Sequence, residues 1–268
     1  MKNLLILSVL IFCWVTVYGQ KNLPESNRAA QPVIIDGILS EWPLPLDIAD
    51  KGKKIRYSVS NDDTNLYLCL QTFDPSIQQK ITRSGMTVQL SCSGKNKRNA
   101  TISFPLKSQL MLNIQADRRP SPQDLQQGQR GGRAEMRQAV IERCTDMRVK
   151  GLASLDGMVP IKNDFGVCAA FCWEAELLLS YELAIPYAEF FGGDFTEADL
   201  ETPVDIKITI MAMPQPSSGG AGGSPSGGGG GSRGGGGGMP RGGEGGADLS
   251  DMFTSTVIKH TLTLNRGN

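Results

Sequence analysis

Short runs with a period of two constrain this chain more than any other feature. The clearest lies near the end, where Val204, Ile206, Ile208 and Ile210 alternate with Asp205, Lys207 and Thr209. Successive side chains on an extended strand point to opposite faces, so such a run gives one oily face and one wet face. The same rhythm recurs in Ile55 to Ser60, Asn65 to Phe73, Met86 to Cys92, Ala100 to Pro105, Gln109 to Gln115 and Val257 to Leu264. In the second of these, Leu66, Leu68 and Leu70 share one face while Tyr67, Cys69 and Gln71 share the other. Turn residues such as Asn61-Asp62-Asp63-Thr64 separate the runs, and helical periodicity is nearly absent. Many short alternating strands between turn signals predict an all-β fold, an antiparallel β-sandwich of the immunoglobulin or jelly-roll kind. The length suits one such domain, over residues 33–268, behind an N-terminal extension at 20–32.

Two stretches break the rhythm. Residues 117–134 combine Arg118-Arg119-Pro120 with glutamines and Arg130-Gly131-Gly132-Arg133, and offer almost nothing apolar to bury. Residues 214–247 hold most of the glycine, with 18 of the 32 glycines between Gly219 and Gly246. Burial cannot offset the ordering entropy of such segments, so both are expected to be disordered loop insertions. Each doubling of loop length costs only about 0.6 kcal/mol, which a sandwich tolerates.

The chain opens with Lys2, an apolar run from Leu4 to Val17, and then Tyr18-Gly19-Gln20. A basic start, a short apolar core and a small residue at its end predict a secretory signal peptide over residues 1–19. The run is shorter than the roughly 20 residues of a membrane span. A soluble exported protein is expected, periplasmic, extracellular or associated with the outer surface. Equal totals of 27 basic and 27 acidic side chains leave no electrostatic footprint for nucleic acid. Beyond residue 19 there are five cysteines, Cys69, Cys92, Cys144, Cys168 and Cys172, an odd and scattered set that specifies no disulfide pairing.

Three separated patches carry a family resemblance. The first is Ile35-Asp36-Gly37 followed by Glu41-Trp42; the second is Asp62 to Leu68, containing Asn65-Leu66-Tyr67-Leu68, with Asp74 beyond it. The third runs from Asn163-Asp164-Phe165-Gly166 to Tyr181-Glu182-Leu183-Ala184-Ile185-Pro186. In order and spacing they resemble a family 9 carbohydrate-binding module, within the wider DOMON-like group. Asp36, Gly37, Glu41, Trp42, Tyr67, Glu182 and Pro186 are then the structural motif. Each also has a reading from physics alone. Asp-Gly is a turn pair, Trp42 is a large ring to bury, and Pro186 ends a strand because it lacks an amide.

The resemblance implies a non-catalytic module that recognises carbohydrate, through exposed tryptophans in the members that bind sugar. With Trp42 assigned to the core, the candidate ligand-binding residues are Trp173, Glu174 and Glu176, at an expected bend between strands 166–172 and 178–185. Calcium is a second ligand suggested by the family, and Asp62, Asp63 and Asn65 are the oxygen-bearing residues that crowd one turn. Turn geometry alone also favours those residue types. Haem is a third, since some DOMON-like relatives hold it. The single histidine, His260, shares its strand face with Ile258, Leu262 and Leu264 and reads as a core residue. No nucleophile elbow, phosphate loop or metalloprotease helix is present, so no catalytic residues are expected. The alternatives to glycan recognition are a structural or protein-interaction module of the cell envelope that has lost the sugar site, and a haem-binding electron-transfer module.

Overall fold

The alternating runs form two stacked sheets in a computed structural model that describes residues 23–93, 97–111, 131–175, 177–215 and 249–267. In chain order the elements are β1 Asn27–Arg28, β2 Ile48–Asp50, β3 Ile55–Asn61, β4 Asn65–Thr72, α1 Pro75–Ser84, β5 Gly85–Cys92 and β6 Arg98–Leu106. There follow α2 Lys107–Met111, α3 Gly131–Arg143, β7 Asp146–Lys150, β8 Gly157–Pro160, β9 Cys168–Ala175 and β10 Leu178–Pro186. The chain continues through α4 Tyr187–Phe191, α5 Glu197–Leu200, β11 Val204–Ile210, a 3-10 turn at Leu249–Phe253 and β12 Thr256–Leu262. The first sheet has the order β1-β3-β4-β10-β9, with β2 also on β3, and the second has the order β12-β11-β5-β6-β7-β8. All pairings in both sheets are antiparallel except the short parallel contact of β1 with β3. The fold is an antiparallel all-β sandwich.

One set of alternating residues from each sheet fills the space between them. Leu66, Leu68 and Leu70 of β4, Ile206 and Ile208 of β11, and Val88 and Leu90 of β5 are all buried in this shared core. Tyr67, Cys69 and Gln71 take the opposite face, yet they are buried too. The reason is a third layer. Residues 29–47 run across the outer face of the first sheet, where Leu39, Trp42 and Leu46 pack on Tyr67, Cys69 and Ala184. Trp42, expected as a buried ring, is buried against the outer face of this sheet.

The residues ahead of this strap tie the two sheets together. Asn27 and Arg28 pair with Ser60 and Asn61 of the first sheet. Immediately before them, Ser26 N donates to Thr263 O at 2.9 Å and Thr263 N donates to Pro24 O at 3.0 Å, at the end of the second sheet.

Helices appear where the alternation suggested few. Asp74 caps α1, its side chain accepting from Ser76 N and Ile77 N, with Pro75 at the first helical position. Ile77 and Ile81, one turn apart, plug the end of the core. The expected strand from Gln109 to Gln115 is corrected, since residues 109–111 belong to the helix α2. Glutamine, leucine and methionine are good helix formers, and a short apolar run does not separate the two periods. Residues 131–134, expected within a disordered loop, open α3. Residues 117–130 and 216–247 of the two expected insertions lie outside the described residues, as does the expected signal peptide. β11 and β12 are paired neighbours, so the glycine-rich sequence lies within the connection of one hairpin.

Candidate functional site

The motif residues converge on Glu182, which is fully buried beneath the strap. Its Oε2 accepts from Gly37 N at 2.8 Å and Asp36 N at 3.1 Å, and its Oε1 accepts from Trp42 Nε1 at 2.8 Å. Asp36 Oδ1 closes the turn by accepting from Ile38 N at 2.8 Å. Gly37 sits at φ +92°, and a Cβ there would lie 2.8 Å from the backbone of Phe171 and Cys172. A glycine is needed both for the backbone conformation and for the close approach to β9. Burial pushes the Glu182 carboxyl up to about 7, against the downward pull of Trp42, Gly37 and Asp36. Glu41 is half-buried and accepts from Ser40 Oγ. Pro186 forms the last pair of β10, opposite Asn65. Three donors on one buried carboxylate make this a strap anchor.

The candidate ligand residues separate. β9 runs through to Ala175 without the expected bend, so Trp173 and Glu174 point to opposite faces. Trp173 packs inward on the core. Its ring stands edge-on to Phe171 at 5.9 Å, its Nε1 donates to Gln78 Oε1 at 3.1 Å, and the Arg137 guanidinium lies 5.1 Å from its centroid. Helices α1 and α3 thus clamp the ring. Glu174 is exposed on the outer face, where its Oε1 accepts from Ser180 Oγ and, at 3.4 Å, from Gln71 Nε2. Glu176 lies outside the described residues.

Around Glu174 the outer face is polar and lies beyond the strap; Arg56 and Glu174 are exposed there, while Gln71 and Ser180 between them are buried. Arg56 is paired with Gln71, and Gln71 with Ser180, so a polar row crosses β3, β4 and β10 toward Glu174 on β9. Arg56 Nη1 donates to Leu46 O at 3.0 Å, which places it where the strap ends. Beside this row is a cleft of 430 Å³, lined by Ala49, Lys51, Arg56, Gln71, Phe73 and Pro75 among others. Phe73 follows the outward residues of β4 and is 66% exposed, an unusual position for a phenylalanine. An open aromatic ring beside amide, guanidinium and carboxylate groups can stack on a flat partly apolar ligand and hydrogen-bond its polar edge. Sequence reasoning passed over Phe73 as a strand end. The available signal was its parity with Tyr67, Cys69 and Gln71.

The candidate calcium set fails on its own geometry. Asp62 Oδ1 accepts from Thr64 N and Asn65 N, each at 2.7 Å, and from Thr64 Oγ1 at 3.0 Å, while Oδ2 accepts from Tyr67 OH at 2.6 Å. Burial raises the Asp62 pKa, but Tyr67 and the Thr64 and Asn65 amides outweigh it and hold the carboxyl below its ordinary value. Asp63 pairs with Arg28. The carboxylates of this turn are committed to protein donors and do not fit a calcium site. His260 packs edge-on against Tyr57 at 5.8 Å, with Nδ1 3.4 Å from the Tyr57 hydroxyl, and burial lowers its pKa. These contacts hold the ring as part of the packing with Tyr57, in keeping with a core residue. Cys69, Cys144, Cys168 and Cys172 carry free thiols, and Cys172 donates to Gly37 O at 2.9 Å.

No family model matches the chain, and no curated protein matches it either.

Proposed function

We propose that this chain is an exported, non-catalytic binding module that recognises glycans on the uncovered half of its first sheet. Phe73 is the stacking ring, and the exposed Arg56 and Glu174 supply hydrogen bonds to sugar hydroxyls. The observation that carries this reading is the largely exposed Phe73 ring beside a polar row on an otherwise strapped and buried face. It is supported by the likeness of the Asp36-Gly37, Glu41-Trp42 and Glu182 to Pro186 motifs to the family 9 carbohydrate-binding module, and export follows from the reading of residues 1–19 as a signal peptide. In this reading Trp173 has no part in binding.

The test is a glycan array with three proteins. The unaltered chain binds a glycan, Phe73→Ala loses that binding with an unchanged melting temperature, and Trp173→Ala melts earlier but still binds. Removing a half-buried tryptophan costs about 2–3 kcal/mol, somewhat below the value for a full core position. Absence of binding to every glycan overturns the proposal. It would favour the protein-interaction role at the cell envelope, for which Phe73 and the 57%-exposed Leu177 are among the exposed apolar side chains.

A further inference from the structure

We propose that the outer face of the second sheet is a separate binding surface for an anionic polysaccharide, one bearing carboxylate or sulfate groups. This surface is on the opposite side of the sandwich from Phe73 and stands independently of the reading given to that ring.

Pairing registers place Lys259 opposite Lys207, Lys207 opposite Gln89, Gln89 opposite Thr101, and Thr101 opposite Lys150. These five side chains form one row across β12, β11, β5, β6 and β7. Four inter-strand steps make the row about 19 Å long. The adjacent row is Thr261, Asp205, Ser91 and Asn99, and a depression of 340 Å³ lies between the two rows. Gln89, Asn99, Lys150, Lys207 and Lys259 are exposed.

The charges on this face are arranged against stability. Like charges directly opposite each other on paired strands repel. Yet Lys207 and Lys259 face each other, and among the described residues neither ammonium is in an ion pair. The acids of the face accept from hydroxyl and amide donors rather than from the lysines. Asp205 accepts from Thr261 Oγ1 at 2.6 Å, and Asp146 accepts from Thr145 Oγ1 at 2.8 Å and Gln109 Nε2 at 3.3 Å. With Arg148 next along β7, the face carries four basic groups against two acidic ones on a chain of zero net charge.

Lysines on edge strands commonly guard against sheet-to-sheet aggregation. That accounts for Lys259 on β12. It can also account for Lys150, which lies past the last β7–β8 pair, but not for Lys207, which is paired on both sides. Neither row contains an aromatic side chain, which sets the face apart from a protein-docking surface. Amide and hydroxyl groups between cations suit an extended polyhydroxylated chain with periodic negative charge.

Affinity electrophoresis of the full chain through gels containing polygalacturonate, dextran sulfate or neutral dextran tests the proposal. Retardation by polygalacturonate identifies carboxylate as the recognised group, and retardation by dextran sulfate identifies sulfate. Either supports the proposal if it weakens with salt and neutral dextran leaves mobility unchanged. The double variant Lys207→Gln/Lys259→Gln should bind roughly tenfold more weakly, through loss of two charge-assisted contacts. Its melting temperature should be equal or higher, since a repulsive pair is removed, which excludes misfolding as the cause. Phe73→Ala should be retarded like the unaltered chain, so this surface and the Phe73 face can fail separately. Three results would overturn the proposal: mobility unaffected by both anionic polymers, a double variant retarded as strongly as the parent, or binding to phosphatidylserine vesicles without binding to either polymer.

Discussion

Gly37 and Gly157 provide a matched pair for measuring how much the strap depends on its approach to β9. Their φ angles are nearly the same, +92° and +91°. A Cβ on Gly37 would meet Cys172 N and the Phe171 carbonyl carbon at 2.8 Å, whereas one on Gly157 would meet nothing within 4 Å. Alanine at either position carries the left-handed backbone cost of about 1–2 kcal/mol, partly offset by about 0.4–1 kcal/mol from a less flexible unfolded chain. Gly157→Ala should therefore cost about 1 kcal/mol. In Gly37→Ala the contacting atoms are backbone of a paired strand, so the strap must lift instead. Lifting it stretches the 2.8 Å and 3.1 Å bonds from Gly37 and Asp36 to Glu182. Loss of one hydrogen bond to a charged group costs about 1.5–3 kcal/mol, giving about 2.5–4 kcal/mol in total. At about 2–4 °C per kcal/mol for a domain of this size, the melting temperature should fall by about 10 °C for Gly37→Ala and about 3 °C for Gly157→Ala. Thermal unfolding followed by far-ultraviolet circular dichroism reads both. Equal losses would refute the close-approach argument and leave only the backbone conformation to explain the glycine.

Two further outcomes follow from buried charge. The Glu182 carboxyl sits at about 7 in the folded protein against an ordinary 4.5, so the native state binds the extra proton between those values. Its contribution to stability is full below pH 4.5 and is lost as the pH rises through 7, a fall of about 3 kcal/mol. Urea unfolding at pH 5 and pH 8 should register this fall in the unaltered chain and a flatter profile in Glu182→Gln; parallel profiles would contradict it. Lys80 is 2% exposed and donates to Asp251 O at 3.1 Å, Thr254 O at 2.7 Å and Thr256 Oγ1 at 2.6 Å. It pins the chain just before β12 to α1. Lys80→Met should cost about 2–3 kcal/mol and speed amide exchange in residues 249–256 ahead of β9 and β10. Unchanged exchange there would show that the ammonium is not the pin.

The helices show where pattern reading stopped short. Asp74-Pro75 followed by Ile77 and Ile81 is a cap, a first-turn proline and a one-turn apolar pair, all legible in the residues. The strands on either side mask it in a period-two reading. The glycine- and arginine-rich opening of α3 carries no such signal, and its ordering is tied to Val140 and Ile141 packing on the core. Trp173 was misplaced by a small error in strand length. Extending β9 from 172 to 175 removes the bend and sends the ring inward, because each added residue reverses the face.

Alternation in the residues alone determined two antiparallel layers and which side chains of β4 and β11 face the shared core, since the pleat reverses direction at every residue. It also placed Trp42 in the interior and Pro186 at a strand end, by ring size and by the missing amide. What covers the outer faces was decided only in three dimensions. Period two says that Gln71 and Phe73 share a side, not that Glu182 of a distant strand joins them on it, nor that residues 29–47 cross that side, bury Glu182 and stop short of Phe73. That outcome depends on contacts between segments about 140 residues apart, such as Trp42 with Glu182, and no local pattern encodes them.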